Sequence, residues 1–139
     1  MASSSFVQRN LYKGVGPRCW LRLRFAAIDG SLHERELLAD TGSPCAVILG
    51  KTDLLLLQRA SAAGSSTNFG YLTGGWLELD MPELGISSQI HGYGSEAILQ
   101  AVRSDSSDFS GLAGLPLLRM LECGGDADSF WVRQPPVIP

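Results

Sequence analysis

Between residues 20 and 49 the apolar positions first alternate and then condense, and the pattern predicts three strands. Trp20-Leu21-Arg22-Leu23-Arg24-Phe25 alternates apolar with basic side chains, the period-two signature of a strand buried on one face. Asp29-Gly30 follows, a strong short hairpin signal because both residues tolerate the positive φ of a tight turn. The return strand begins at Ser31-Leu32-His33-Glu34, grows apolar through Leu37-Leu38-Ala39 and stops at Asp40. Thr41-Gly42-Ser43-Pro44 turns the chain, and Cys45-Ala46-Val47-Ile48-Leu49 reads as another core strand. A hairpin thus carries one carboxylate to the point where a strand leaves the sheet.

Beyond it, Thr52 to Ala60 reads as a short helix with Thr52 as N-cap, Arg59 near its C-terminus and four leucines, Leu54 to Leu57, as core anchors. Ser61 to Asn68 is small and polar, a loop. Phe69-Gly70-Tyr71-Leu72-Thr73-Gly74-Gly75-Trp76 interleaves glycines with aromatics, which suits a hairpin tip able to cover a ligand; the simpler reading is a Gly-rich turn. Trp76 to Met81 alternates as a strand ended by Pro82, and Glu83-Leu84-Gly85 turns into a weak strand over Ile86 to Ile90. Gly92-Tyr93-Gly94 reads as a turn, and Glu96 to Arg103 as a strand with a helix left open. After a polar loop from Ser104 to Ser110, Gly111 to Pro116 opens a helix through Leu121 that Gly124-Gly125 stops. Ser129 to Arg133 is a last short strand. The sum is a mainly β chain with one or two short helices, for which a small closed β-barrel is the natural architecture. Residues 1–18, broken by Gly14, Gly16 and Pro17, form an arm or edge segment; 19–134 form the domain, and 135–139 a tail.

Composition narrows the chemistry. At 139 residues the chain fits one domain, and 45% hydrophobic against 18% charged residues place it with globular rather than disordered chains. A net charge of −3 supplies no basic face for nucleic acid. No apolar run reaches the ~20 residues that span a bilayer, and the N-terminus lacks a basic region followed by an apolar one, so neither a membrane nor a secretory signal is expected. Cys19, Cys45 and Cys123 are odd in number and widely spaced, which fits a reducing, cytoplasmic setting better than a disulfide or zinc framework. With only His33 and His91, no phosphate loop and no Gly-x-Ser-x-Gly, the expectation is no metal, no cofactor and no serine nucleophile.

What remains is Asp40, a carboxylate delivered by an apolar strand into a glycine turn, close enough to the core for its ionisation to be tuned. The order of parts around it resembles the retropepsins, the single-domain retroviral-type aspartic proteases and their bacterial and cellular relatives. The likeness rests on the strand Trp20–Phe25, the Asp29-Gly30 hairpin, Leu37-Leu38-Ala39 leading into Asp40-Thr41-Gly42-Ser43, the glycines between Gly70 and Trp76, and the late Leu112-Ala113-Gly114 followed by Leu115-Pro116-Leu117-Leu118. It spans roughly residues 19–123.

The resemblance implies an acid-protease barrel active as a C2 homodimer, with Asp40 as the catalytic carboxylate and an extended peptide or protein as substrate. Two carboxylates about 3 Å apart cannot both ionise, so they share a proton, and one can activate water while the other polarises the scissile carbonyl. A chain with one such motif must borrow the second from a partner copy. The resemblance further implies that Thr41 bonds across the two-fold axis, Gly42 lets its N–H approach the carboxylate and Ser43 donates to the outer carboxylate oxygen. Gly70, Tyr71, Leu72, Thr73, Gly74 and Gly75 would form the substrate-covering flap, and Leu112-Ala113-Gly114 the site floor. Phe130-Trp131-Val132 would join an interchain sheet. Gly114-Leu115-Pro116 stands where retroviral members often carry Gly-Arg-Asp or Gly-Arg-Asn, so their interchain ion pairs have no counterpart here. Two other readings stand beside the enzyme: an inactive domain of this fold serving dimerisation or peptide binding, and a plain β-barrel in which Asp40-Thr41-Gly42 is only a turn.

Overall fold

The computed structural model describes residues 6–68 and 70–136. Ten strands and three short α-helices follow in the order β1 (Val7–Leu11), β2 (Trp20–Ala26), β3 (Leu32–Asp40), β4 (Val47–Leu49), α1 (Lys51–Leu57), β5 (Ala60–Thr67), β6 (Gly70–Met81), β7 (Ile86–Gly94), α2 (Glu96–Arg103), β8 (Phe109–Gly114), α3 (Leu115–Leu118), β9 (Glu122–Gly125) and β10 (Ser129–Arg133), with a single 3-10 turn at Pro82–Leu84 between β6 and β7. The sheet order β2-β3-β8-β4-β7-β6 closes on itself through Phe25 of β2 against Leu79 of β6, giving a six-strand barrel, with β5 added outside β6. A second sheet of three strands, β1-β10-β9, packs beside it.

The β2–β3 hairpin forms where the Asp29-Gly30 signal places it. Gly30 has φ +87°, and the Asp29 carboxylate accepts from the Ser31 N–H at 2.9 Å. β3 then runs parallel to β8, pairing Leu38 with Leu112, Ala39 with Ala113 and Asp40 with Gly114, while β4 lies antiparallel on the other side of β8. These strands separate two apolar clusters. Leu37, Val47, Leu49 and Ala113 face one; Leu38, Ile48 and Leu112 face the other. Burial on both sides explains why the sequence is continuously apolar here rather than alternating.

Several elements differ from the expectations. Ser61 to Asn68 is not a loop: Ala60–Thr67 is strand β5, with an irregularity between Ala62 and Ser65. Its small residues follow from crowding, since a side chain on Gly74 would fall on the Ala63 carbonyl and one on Gly64 on the Tyr71 hydroxyl. Gly70 to Gly75 is consequently a strand and not a hairpin tip; the chain turns earlier, at Asn68, where the Thr67 hydroxyl donates to the Gly70 carbonyl at 2.9 Å. Phe69, counted with that stretch, lies outside the described residues. Gly92-Tyr93-Gly94 continues β7, because β4 and β6 hold it on both edges.

Glu96–Arg103 is a helix, the alternative left open, capped by Ser95, whose hydroxyl accepts from the Ile98 N–H at 3.2 Å. α1 starts at Lys51, so Thr52 is not its cap; the Glu96 carboxylate accepts from the Lys51 N–H at 2.8 Å instead. Arg59 lies beyond the helix end, and only Leu54 and Leu57, one turn apart, reach the core, with Leu55 and Leu56 exposed. The stretch opening at Gly111 is strand β8 through Gly114, α3 lasts one turn, and Gly124-Gly125 belongs to β9 rather than stopping a helix.

β10 occupies Ser129–Arg133 as the sequence indicates, but it is the central strand of its sheet and so cannot itself be the edge that meets a partner. β1 and β9 of the same chain pair with its two edges, so Phe130-Trp131-Val132 has no free edge to offer. β1 also braces β2. The Gln8 side-chain amide donates to the Arg22 carbonyl (2.9 Å) and accepts from its N–H (2.6 Å), and Asn10 donates to the Trp20 carbonyl (3.3 Å). These amides satisfy the stretch of β2 that β6 leaves unpaired.

Candidate functional site

Asp40 is the last residue of β3, two positions after Leu38, so both side chains leave the sheet on one side and line the same cleft. The turn behind it closes tightly. The Ser43 N–H donates to the Asp40 carbonyl at 3.1 Å, and the Gly42 N–H donates to Asp40 Oδ1 at 2.9 Å. A Cβ on Gly42 would lie 3.2 Å from that oxygen, so glycine is what allows the amide its approach. The loop is tied down from the β8 side: Leu115 N–H donates to the Ser43 carbonyl (3.0 Å) and Gly114 N–H to the Ala46 carbonyl (2.8 Å). Gly114 passes so close that a Cβ there would fall on the Cys45 carbonyl oxygen.

The other residues of the motif divide. Thr41 is exposed, and its hydroxyl makes no hydrogen bond among the described residues. Ser43 is buried, and its hydroxyl donates to the Cys45 carbonyl (3.2 Å) while accepting from the Cys45 N–H (3.3 Å). That hydroxyl staples the turn; the expected bond to the Asp40 carboxylate is not made. Burial pushes the Cys45 thiol above the ordinary cysteine range, which favours the protonated, unreactive form in the cleft wall.

The cleft in front of Asp40 has a volume of 560 Å³ and is mostly apolar. Leu38, Ile48 and Leu112 supply its floor. Thr67, Asn68 and Leu72 reach it from the turn of the β5–β6 hairpin, and Ala97, Ile98, Ala101 and Val102 line it from α2. Arg18 and Asp105 meet at its edge, Nε to Oδ2 3.3 Å. Among the described residues Asp105 is the other carboxylate on the cleft, and it is ion-paired with Arg18.

The structure therefore brings together Asp40, Gly42, Ser43, Leu72 and Leu112 of the residues singled out in the sequence, with Ala113 in the core and Gly114 behind the loop. It sets Tyr71 largely on the surface, Gly74 beneath β5, and Gly75 against Gln58 and Leu54. Gly70 and Thr73 are not among the cleft-lining residues. Thr67, Asn68, Arg18 and the α2 residues escaped sequence reasoning. Ser95 ahead of Glu96, Arg103 closing the segment and the i, i+4 spacing of Ile98 and Val102 are the signals that could have placed α2. Among the described residues no group of three or more His, Cys, Asp or Glu side chains could hold a metal ion.

These features define the class as a closed β-barrel with a solvent-reachable carboxylate at the head of an apolar cleft. No family model, no curated protein and no solved structure matches the chain.

Proposed function

We propose that the protein is a homodimeric aspartic endopeptidase of the retropepsin type, which hydrolyses peptide bonds with water activated by a pair of Asp40 carboxylates, one from each chain. The observation that carries this reading is the position of Asp40. It stands at the end of the parallel β3–β8 pair, buttressed by the Gly42 amide and open to a 560 Å³ apolar cleft. Among the described residues no second unpaired carboxylate lines that cleft, so in this reading acid and base come from two copies. Thr41 is exposed beside Asp40, and in this reading it meets its own copy across the two-fold axis. The β5–β6 hairpin, with Asn68 at its turn, is the flap over an extended peptide.

Cleavage of a mixed peptide library tests the proposal. Turnover is expected to be fastest at mildly acidic pH, where a carboxylate pair holds one proton, and to vanish in Asp40→Asn. Turnover that survives the substitution overturns the mechanism. One observation favours a second reading, a peptide-binding dimer without catalysis: the Ser43 hydroxyl is committed to Cys45 rather than to the carboxylate. Peptide affinity in the wild-type chain without any turnover would identify that case.

A further inference from the structure

The wall that α2 contributes to the cleft has a composition of its own. Ile98 and Val102 are buried against the second apolar cluster, and Ala97 and Ala101, also four residues apart, lie together on an adjoining, exposed face lining the cleft. Methyl groups there leave the space between α2 and the floor of Leu38, Ile48 and Leu112 open. A side chain longer than methyl at either position would project into that space.

The helix is held from several directions. Ser95 caps its first turn, and Leu99 packs so closely on Gly50 that a Cβ at Gly50 would overlap it. Glu96 caps α1 through the Lys51 N–H, and Arg103 Nε donates to the Phe109 carbonyl at 3.2 Å. A wall so anchored resists retreat before a bulky ligand, and the cleft keeps a set width.

We propose that Ala97 and Ala101 of α2 are specificity-determining residues, which size the cleft beside Asp40 for one aromatic or long aliphatic side chain of an extended peptide. This rests on the peptidase reading for its substrate class, but its evidence is the helix wall. Discrimination by such a surface reflects apolar contact, for which each methylene contributes roughly a 10-fold or greater preference.

The test separates binding from catalysis by using full-length Asp40→Asn protein, which cannot turn over peptide under the proposed mechanism. Hexapeptides differing at one central position (Ala, Leu, Phe or Trp) are titrated by calorimetry into Asp40→Asn and into the double variants Asp40→Asn/Ala101→Leu and Asp40→Asn/Ala101→Trp. Leucine is nearly as good a helix former as alanine, so α2 persists in the first double variant, and circular dichroism checks both. Affinity is expected to rise at least 10-fold from the Ala to the Phe peptide in Asp40→Asn. The order should flatten with Ala101→Leu and invert with Ala101→Trp, with affinity for the Ala peptide held within about threefold. Equal affinity for all four peptides, binding of none, or a Phe preference that survives Ala101→Trp in a folded variant overturns the proposal. Failure of the peptidase reading looks different: side-chain preference is retained here while the wild-type chain cleaves nothing.

Discussion

At the scale of single residues the site depends on two glycines in different ways. Gly114→Ala drives a methyl group into the Cys45 carbonyl, where backbone on both sides leaves no flexible atom to yield. A loss of about 2–4 kcal/mol in chemical denaturation is expected. Gly42→Ala meets only the Asp40 carboxylate, at 3.2 Å, so stability should fall by less than about 1 kcal/mol; under the proposed chemistry turnover should drop as the amide–carboxylate bond is disturbed. The turn at Asp40-Thr41-Gly42 was legible because it is contiguous, a strand end followed at once by a glycine. The partner of Ser43 was not, because the choice between Asp40 and Cys45 depends on how Gly114 presses the turn.

A titration belongs at this scale as well. The Arg24 guanidinium donates twice to Glu83 (2.8 and 3.2 Å) and holds its carboxyl below the usual glutamate range. A carboxyl whose folded pKa lies below its unfolded one stabilises the fold when ionised. Its contribution is complete above the unfolded value and disappears as pH falls through the folded one. Glu83→Gln is thus expected to cost about 1 kcal/mol at neutral pH, and urea midpoints of variant and wild type should converge in acid. A constant gap across that range would contradict the assignment.

At the scale of elements, secondary structure set by local pattern was readable and structure set by partners was not. β2 carries its own alternation and the Asp29-Gly30 turn joins it to β3, while β10 is a short run of aromatic and β-branched residues. β5 carries no such pattern; Ala60–Thr67 becomes a strand because β6 offers it a ladder and Gly64 and Gly74 remove the obstructions. α2 reads from sequence as a strand with a helix left open because few of its residues are β-branched; the i, i+4 spacing of Ala97 with Ala101 and of Ile98 with Val102, together with the Ser95 cap, is what the helix realises. Ser95→Ala should therefore cost about 1 kcal/mol in thermal or urea unfolding. Loss of the Gln8 amide strands both backbone groups of Arg22 at a half-buried edge, and Gln8→Ala is expected to cost about 1–2 kcal/mol. Backbone hydrogen exchange at Arg22, faster in that variant, checks the cause.

At the scale of the whole molecule, barrel closure was legible from the number of alternating segments, since a sheet this long must curl or close to bury its face. The division into two apolar clusters on either side of β3, β4 and β8 was not, because a buried strand shows the same apolar run whichever cluster each residue faces. Nor was the three-stranded sheet, whose order needs contacts between residues 7–11 and 129–133. Its consequence for assembly is specific: with β10 enclosed, a partner copy that extends this sheet must use the β1 or the β9 edge. No helix of the described residues is long and apolar enough to cross a membrane.

The proposed chemistry makes assembly inseparable from activity, and one titration tests both. Wild-type and Asp40→Asn chains are co-refolded at constant total concentration and varying ratio, and peptide cleavage is followed at mildly acidic pH. If the site needs one Asp40 from each of two chains, the rate falls as the square of the wild-type fraction, to a quarter at equal mixing. A rate that falls in simple proportion, to one half, would mean that each chain works alone and would contradict the paired-carboxylate account.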